Sequence, residues 1–185
     1  MGNPKAGRPR ASSLEMLAEA ACELFLEQGY EATSIADIAR RAGVSRSSFF
    51  NYTSSKSGLL WVGFDARLAE LPGSLEHDAP AKAVLAVFAD LAPDTLALAF
   101  ANAEVMGIDA ELEREAALRL ARITAIVAAA ERQSGREPMA ADVSGAAHAG
   151  AVMTALRHWS LAGPGKRPLS AYLEQALDAV GRIPR

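Results

Sequence analysis

Between Thr33 and Lys56 the chain gathers small polar and basic side chains at spacings suited to a phosphodiester backbone and to base edges. Arg46 can fork onto guanine O6/N7 or clamp a phosphate, Ser47 and Ser48 can donate to either, and Asn51 can pair with adenine. Ser45 can cap the short helix that would present them. Lys56 stands at the expected start of a fourth helix and Ser34 at the start of a second, where free backbone N–H groups and the helix dipole favour an anion. Tyr52 carries a hydroxyl that can reach the backbone. Affinity for DNA comes largely from phosphate neutralisation and sequence choice from base edges, and the set holds groups of both kinds. Singly, each residue is equally well an ordinary cap or a solvated side chain; the set at this spacing favours DNA.

The elements that must position these groups are readable in TSIADIARRAGVSRSSFFNYTSSK. Ser34 with Asp37 three residues on makes a capping-box pattern. Ile35, Ile38, Ala39 and Ala42 recur at helical spacing. Gly43 follows where a chain leaving a helix often needs positive φ. Val44 plugs the angle before a short helix that runs from Ser45 to about Asn51. Phe49 and Tyr52 face inward in this reading, and Arg46, Ser47, Ser48 and Asn51 outward. The layout is that of a helix-turn-helix unit.

Composition sets the outer bounds. The 185 residues are half apolar and carry a net charge of −3, which describes a folded chain without a general affinity for polyanions. The charge is uneven: Lys5, Arg8 and Arg10 make the first ten residues purely basic, and beyond Lys56 acids outnumber bases. No apolar run has the length of a membrane span. The N-terminus lacks a signal-peptide core, and Cys22 is the single cysteine, so a cytoplasmic, reducing setting is expected. His77, His148 and His158 are scattered without metal-ligand spacing. No nucleophile–base pair, phosphate-binding glycine loop or paired carboxylate stands out, so neither an enzyme nor a cofactor is expected.

Alanine is abundant and β-branched runs are absent, so the whole chain reads as helix. A first helix is expected from about Ser13 to Gln28, with Leu14, Leu17, Ala21, Leu24 and Phe25 on one face and Gly29 at its end. Glu15, Glu19, Glu23 and Glu27 form a solvated stripe. A fourth helix is expected from Ser55 to Leu71, stopped by Pro72-Gly73. Others follow at about Ala79–Leu91, Asp94–Met106, Asp109–Arg132, Ala141–Ala162 and Leu169–Val180, giving about nine in an all-α fold. The predicted organisation is a flexible basic arm over 1–12, a DNA-binding unit over 13–55, a connecting helix over 55–71, and a ligand-binding and dimerisation domain over 72–185.

The run AACELFLEQGYEATSIADIARRAGVSRSSFFNYTSSKSGLL resembles the N-terminal domain of TetR-family transcriptional repressors. The resemblance rests on Leu24, Phe25, Gly29 and Tyr30, on the IA…AGVS core, on the aromatic pair of the reading helix and on SK before Leu59. It covers about a quarter of the chain. It implies a homodimer whose N-terminal domains read a palindrome and whose C-terminal domains bind an inducer and dimerise. Two positions depart from the family pattern: Thr53 stands where an aromatic is usual, and Phe50 where tyrosine is frequent.

Beyond the reader the sequence offers candidates rather than a pattern. Gly7-Arg8-Pro9-Arg10 resembles the core of an AT-hook, which lies in a narrow minor groove; a solvated tail is the simpler reading of Arg8 and Arg10. Trp61, Phe64, Phe100, Asn102, Met106, Thr124, His148 and Met153 are expected to line a pocket for a small apolar or amphipathic effector. The apolar stripe of the last two helices, with Leu156, Trp159, Tyr172, Leu173, Leu177 and Val180, is expected to pair with a second copy; folding back on its own body is the competing arrangement. The expected function is a ligand-responsive repressor that binds a palindromic operator as a homodimer. The alternatives are a constitutive or architectural DNA-binding protein, and a helical binding module with a vestigial reader.

Overall fold

The computed structural model describes residues 10–53, 55–163 and 166–182; the side chains of residues 10–12 and Ser48 lie outside that description. Every regular element among the described residues is helical. The N-terminal unit comprises α1 (Arg10–Gln28), α2 (Ile35–Arg41) and α3 (Arg46–Phe49). The body comprises a 3-10 turn (Ser57–Trp61), α4 (Val62–Leu68), α5 (Leu71–Leu75), α6 (Pro80–Phe88), α7 (Thr95–Ala101), α8 (Ala103–Met106), α9 (Asp109–Gln133), α10 (Pro138–Ala162) and α11 (Leu169–Gly181).

The reader owes its shape to its caps. Gly29 (φ 84°) ends α1, its N–H donating to Phe25 O at 3.0 Å. Ser34 Oγ accepts from Asp37 N at 3.1 Å and Asp37 Oδ2 accepts from Ser34 N at 3.1 Å, so the predicted capping box is formed. At the other end of α2, Gly43 (φ 68°) lets its own N–H reach Arg40 O at 3.2 Å and that of Val44 reach Ala39 O at 2.9 Å. That pair of bonds is a Schellman turn, which needs a left-handed residue at the position glycine holds. It sets the angle at which α3 leaves α2.

Helix α1 begins at Arg10, inside the stretch expected as a flexible arm, α3 and α6 end earlier than expected, and three further boundaries differ from the sequence reading. The stretch expected as one helix over 55–71 is a 3-10 turn followed by α4, and Pro72 lies within the first turn of the separate short α5 rather than ending α4. Proline has no N–H to donate and is accommodated at a helix start. The stretch expected as Asp94–Met106 breaks at Asn102 (φ −124°) into α7 and α8, and Gly107 (φ 62°) closes α8. Helix α10 begins at Pro138, three residues earlier than expected, because Glu137 accepts from Ala140 N at 2.9 Å and caps it.

Reader and body share one core. Leu17, Ala21 and Phe25 of α1 belong to the same buried cluster as Leu59, Leu60, Trp61, Leu96 and Met106. Tyr30 N also donates to Met106 O at 2.8 Å, joining the end of α1 to the end of α8. Helices α9 and α10 pack along their length, and at Gly145 they come so close that a Cβ would stand 2.5 Å from Thr124 O.

Candidate nucleic-acid interface

Helix α3 and the turn after it present the predicted reading groups. Ser45, Arg46, Ser47 and Asn51 are exposed, and the hydroxyls of Ser45 and Ser47 lie 2.9 Å apart. Phe49 is fully buried and Tyr52 half-buried against the core, the inward pair the pattern requires. The Ser48 side chain, the Arg10 side chain and all of Arg8 lie outside the described residues. Phe50 points outward at 55% exposure, edge-on to Phe49 with ring centroids 5.4 Å apart. At the position where the family has an aromatic, Thr53 Oγ1 donates to Ser55 O (3.0 Å) and accepts from Ser55 N (3.3 Å), so a hydrogen-bonded turn forms that corner.

Ser34 is exposed but committed to its cap, and Asp37 is ion-paired with Arg40 at 2.5 Å. Hydrogen bonds from the Ser34 hydroxyl, from Arg40 and from the Ser34 backbone hold the Asp37 carboxyl down at about 2. The glutamate stripe on α1 is partly engaged: Arg41 bridges Glu23 (3.1 Å) and Glu27 (2.7 Å), which removes one cation of α2 from contact with a phosphate.

Lys56 is not at the N-terminus of an α-helix. It precedes the 3-10 turn, and its Nζ donates to Tyr30 O and Thr33 O, both at 2.8 Å, over the Tyr30 ring. Its ammonium therefore braces the loop that carries Ser34.

A polar junction that the sequence reading missed lies behind the reader. Arg119 of α9 makes a fork onto Asp65 of α4 (Nε–Oδ1 2.9 Å, Nη2–Oδ2 2.5 Å), while its Nη1 donates to Glu115 Oε2 at 2.5 Å. Its guanidinium stands 4.5 Å from the Trp61 ring. Ser55 and Ser57 both donate to Glu115 Oε1 at 3.1 Å. The chain leaving the reader is thus fastened to α9 by a buried carboxylate. Burial pushes the Glu115 carboxyl up, but Arg119, Ser57 and Ser55 outweigh it and hold it below its ordinary value. The four-residue step from Glu115 to Arg119 was the available signal, weak because such pairs usually decorate solvated faces.

The eight expected pocket residues do not line one common cavity, although Trp61, Phe64 and Phe100 pack together. Trp61, Phe64 and Met106 are closed core, because aromatic rings fill the space between helices: Trp61–Phe64 centroids lie 5.5 Å apart, Trp61–Phe100 5.8 Å and Phe64–Phe88 4.8 Å. Asn102 Nδ2 donates to Leu98 O at 2.9 Å, and Thr124 Oγ1 to Leu120 O at 2.9 Å, so each answers its own helix. Met153 is half-buried against the core. Phe100 lines a cleft of about 230 Å³ beside α8, and His148 lines a different one of about 670 Å³ between α6, α10 and α11.

The expected dimer face is also divided. Leu156, Trp159 and Leu173 are buried within their own chain, because α11 folds back onto α10 and α6; they are core residues rather than contacts open to a partner. Tyr172, Leu177 and Val180 are half-buried. The large apolar side chains left exposed there are Met139, Val143 and Leu161, on the outer face of α10.

With this geometry in hand, comparison with known proteins is informative. Residues 17–60 match the model of the bacterial regulatory proteins of the tetR family. A Mycobacterium tuberculosis protein named as a transcriptional regulator of mycofactocin biosynthesis (MftR) is 37% identical over 73 residues, 40% of this chain and 37% of that protein. The match therefore spans well under half of that curated relative. Among solved structures, Thermus thermophilus FadR, a TetR-family repressor solved with lauroyl-CoA, is similar across 93% of this chain and 96% of its own (TM-score 0.53, 26% identity). The fatty acid degradation regulator FadR of Bacillus halodurans shares the fold over 96% of this chain and 99% of its own (TM-score 0.53, 14% identity). The reader motif and the all-helical body behind it agree with these matches: residues 17–60 carry the sequence pattern of the tetR family, and the chain as a whole shares its fold with TetR-family repressors.

Proposed function

We propose that the protein is a cytoplasmic, ligand-responsive transcriptional repressor that binds a palindromic DNA operator as a homodimer. The observation that carries this reading is the exposed Arg46–Ser47–Asn51 surface, held at a fixed angle by the Ser34–Asp37 cap and the Gly43 turn. Arg46, Ser45, Ser47, Ser48 and Asn51 contact the major groove, with Tyr52 toward the backbone and Arg8 and Arg10 extending the footprint. Lys56 and Ser34 act by positioning. One four-residue reading helix supplies little specificity alone, which favours a two-fold pair of readers on a palindrome.

An apolar or amphipathic effector enters the body and releases the DNA. Body and reader share a core and the Glu115–Arg119–Asp65 junction, so a shift of α9 against α4 reaches the reader. By linkage the effector weakens DNA binding by the factor with which DNA weakens the effector.

The test is selection of bound genomic fragments with purified protein, followed by gel shifts on the recovered motif. A palindrome with half-sites about one helical turn or a multiple apart, ~34–36 Å centre to centre, is expected. Arg46→Ala should cost ~1–3 kcal/mol and relax specificity at one position. A folded protein that enriches no motif would be a binding module with a vestigial reader. Specific binding that no metabolite alters would make it a constitutive regulator.

A further inference from the structure

The end of the body remote from the reader, where α6, α9, α10 and α11 converge, holds two adjoining clefts of about 430 and 670 Å³. Glu131 and Arg136 belong to the walls of both. Glu131 is only 8% exposed; its Oε1 accepts from Arg136 Nη1 at 2.5 Å, and its Oε2 is buried with no hydrogen-bond partner. A buried carboxylate oxygen without a donor is costly, and a ligand that brings an N–H donor relieves that cost.

Charge and shape point the same way. Among the charged groups lining the two clefts, Glu76, Asp78, Glu131 and Glu137 face a single cation, Arg136. Asp78 is paired with Lys82 at 2.7 Å, and Glu137 accepts from Ala140 N, yet the acidic excess remains. The larger cleft is otherwise apolar, with Val143, Ala147, Leu177 and Val180 in its wall. An anion would meet this acidic excess with Arg136 as the one cation in the walls, and Arg136 already holds Glu131.

We propose that these clefts bind a lipophilic monocation carrying N–H donors: a primary ammonium or amidinium group on a hydrocarbon body. Glu131 lines both clefts, and its carboxylate accepts the charged N–H at Oε2 while Arg136 stays on Oε1. The hydrocarbon lies against Val143, Ala147, Leu177 and Val180. Only the consequence for DNA rests on the reading of the body as an effector domain.

The test is calorimetric titration of the full chain with n-octylammonium, n-octanol and n-octanoate, which share one tail and differ in charge. Octylammonium should bind about ten-fold or more tighter than octanol, with octanoate weakest. Glu131→Gln should lose about ten-fold for octylammonium and little for octanol, and Ala147→Trp should weaken all binding by filling the cleft. Equal affinities for the three ligands, or octanoate binding as tightly as octylammonium, overturn the proposal. So does a folded Glu131→Gln chain that keeps full ammonium affinity. Should Glu131→Gln fail to fold, the charge order in the native chain and the Ala147→Trp result decide. Operator release is read separately by fluorescence anisotropy: octylammonium that binds without releasing DNA leaves the site standing and removes only its role as the effector site.

Discussion

The ammonium of Lys56 donates to the main-chain oxygen of Tyr30 at 2.8 Å and stands 4.0 Å from the centroid of the same residue's ring. One side chain thus ties the corner before the body to the loop between α1 and α2, and a second bond to Thr33 O reaches the residue before the Ser34 cap. In this arrangement Lys56 braces the reader.

A brace and a phosphate contact are separable. Lys56→Met should lower stability by about 1–3 kcal/mol, since two charged hydrogen bonds are lost and two carbonyls need new partners. Operator affinity should fall with it, while the slope of log affinity against log salt stays within a few tenths of the native value. Loss of one phosphate contact would instead flatten that slope by about 0.9. Denaturant melts and salt titrations of the same variant distinguish the two.

The reader was legible in the sequence because its structure is local. Ser34, Asp37 and Gly43 each act on neighbours within five residues, and the pattern names the turn type as well as its place. The body was legible as helices but not as a site. Whether Trp61 lines a hollow or closes one depends on Phe64, Phe88 and Phe100 arriving from three other elements. The stripe on α11 could not announce that its own body covers Leu173, since burial by self and by a twin demand the same residues. The Arg119–Asp65 fork spans 54 residues of sequence and leaves no periodic trace.

The carboxylates of the Asp37 cap and the Glu115 junction set an acid limit with a definite sign. Asp37 titrates at about 2 in the folded chain against 3.8 ordinarily, and Glu115 is likewise held below its ordinary value. Depressed folded values mean that the stabilisation is complete above the unfolded values and is lost as pH falls through the folded ones. For Asp37 that window runs from about 4 down to about 2. Carbon-detected NMR should place its midpoint near the lower end, and Ser34→Ala should move it toward 3.8. In Arg119→Met, burial is left to dominate at Glu115. Its carboxyl should then titrate above its ordinary value, and the variant should gain stability on mild acidification where the native chain loses it.

Two glycines of α10 should respond oppositely to the same change. A Cβ at Gly145 would lie 2.5 Å from Thr124 O and 3.2 Å from Ala128 N, both backbone atoms that cannot step aside. Gly145→Ala should therefore force α9 and α10 apart, at a cost on the order of 1–3 kcal/mol. A Cβ at Gly150 meets nothing within 4 Å. Gly150→Ala should be neutral or stabilising by up to about 1 kcal/mol from helix propensity. Thermal melts at a concentration where the chain is monomeric give both values.

The last prediction concerns the partner copy. A dimer seam has to be apolar and open in the single chain, and Leu156, Trp159 and Leu173 fail the second condition. Met139, Val143 and Leu161 meet both, exposed at 72%, 65% and 59%. Met139, Val143, Ala146, Gly150, Thr154 and Leu161 step along α10 at three, four and seven residues, so one outward face carries them all. Small residues at its middle allow a second helix to approach closely. Val143→Glu with Leu161→Glu should therefore yield a folded monomer that no longer shifts the operator. Leu173→Glu should unfold the chain, because a charge at that position has no route to water. Light scattering and circular dichroism on the two variants tell the outcomes apart. A double mutant that remains dimeric would move the seam off the α10 face, whereas a native chain that scatters as a monomer at micromolar concentration would argue against a standing homodimer altogether.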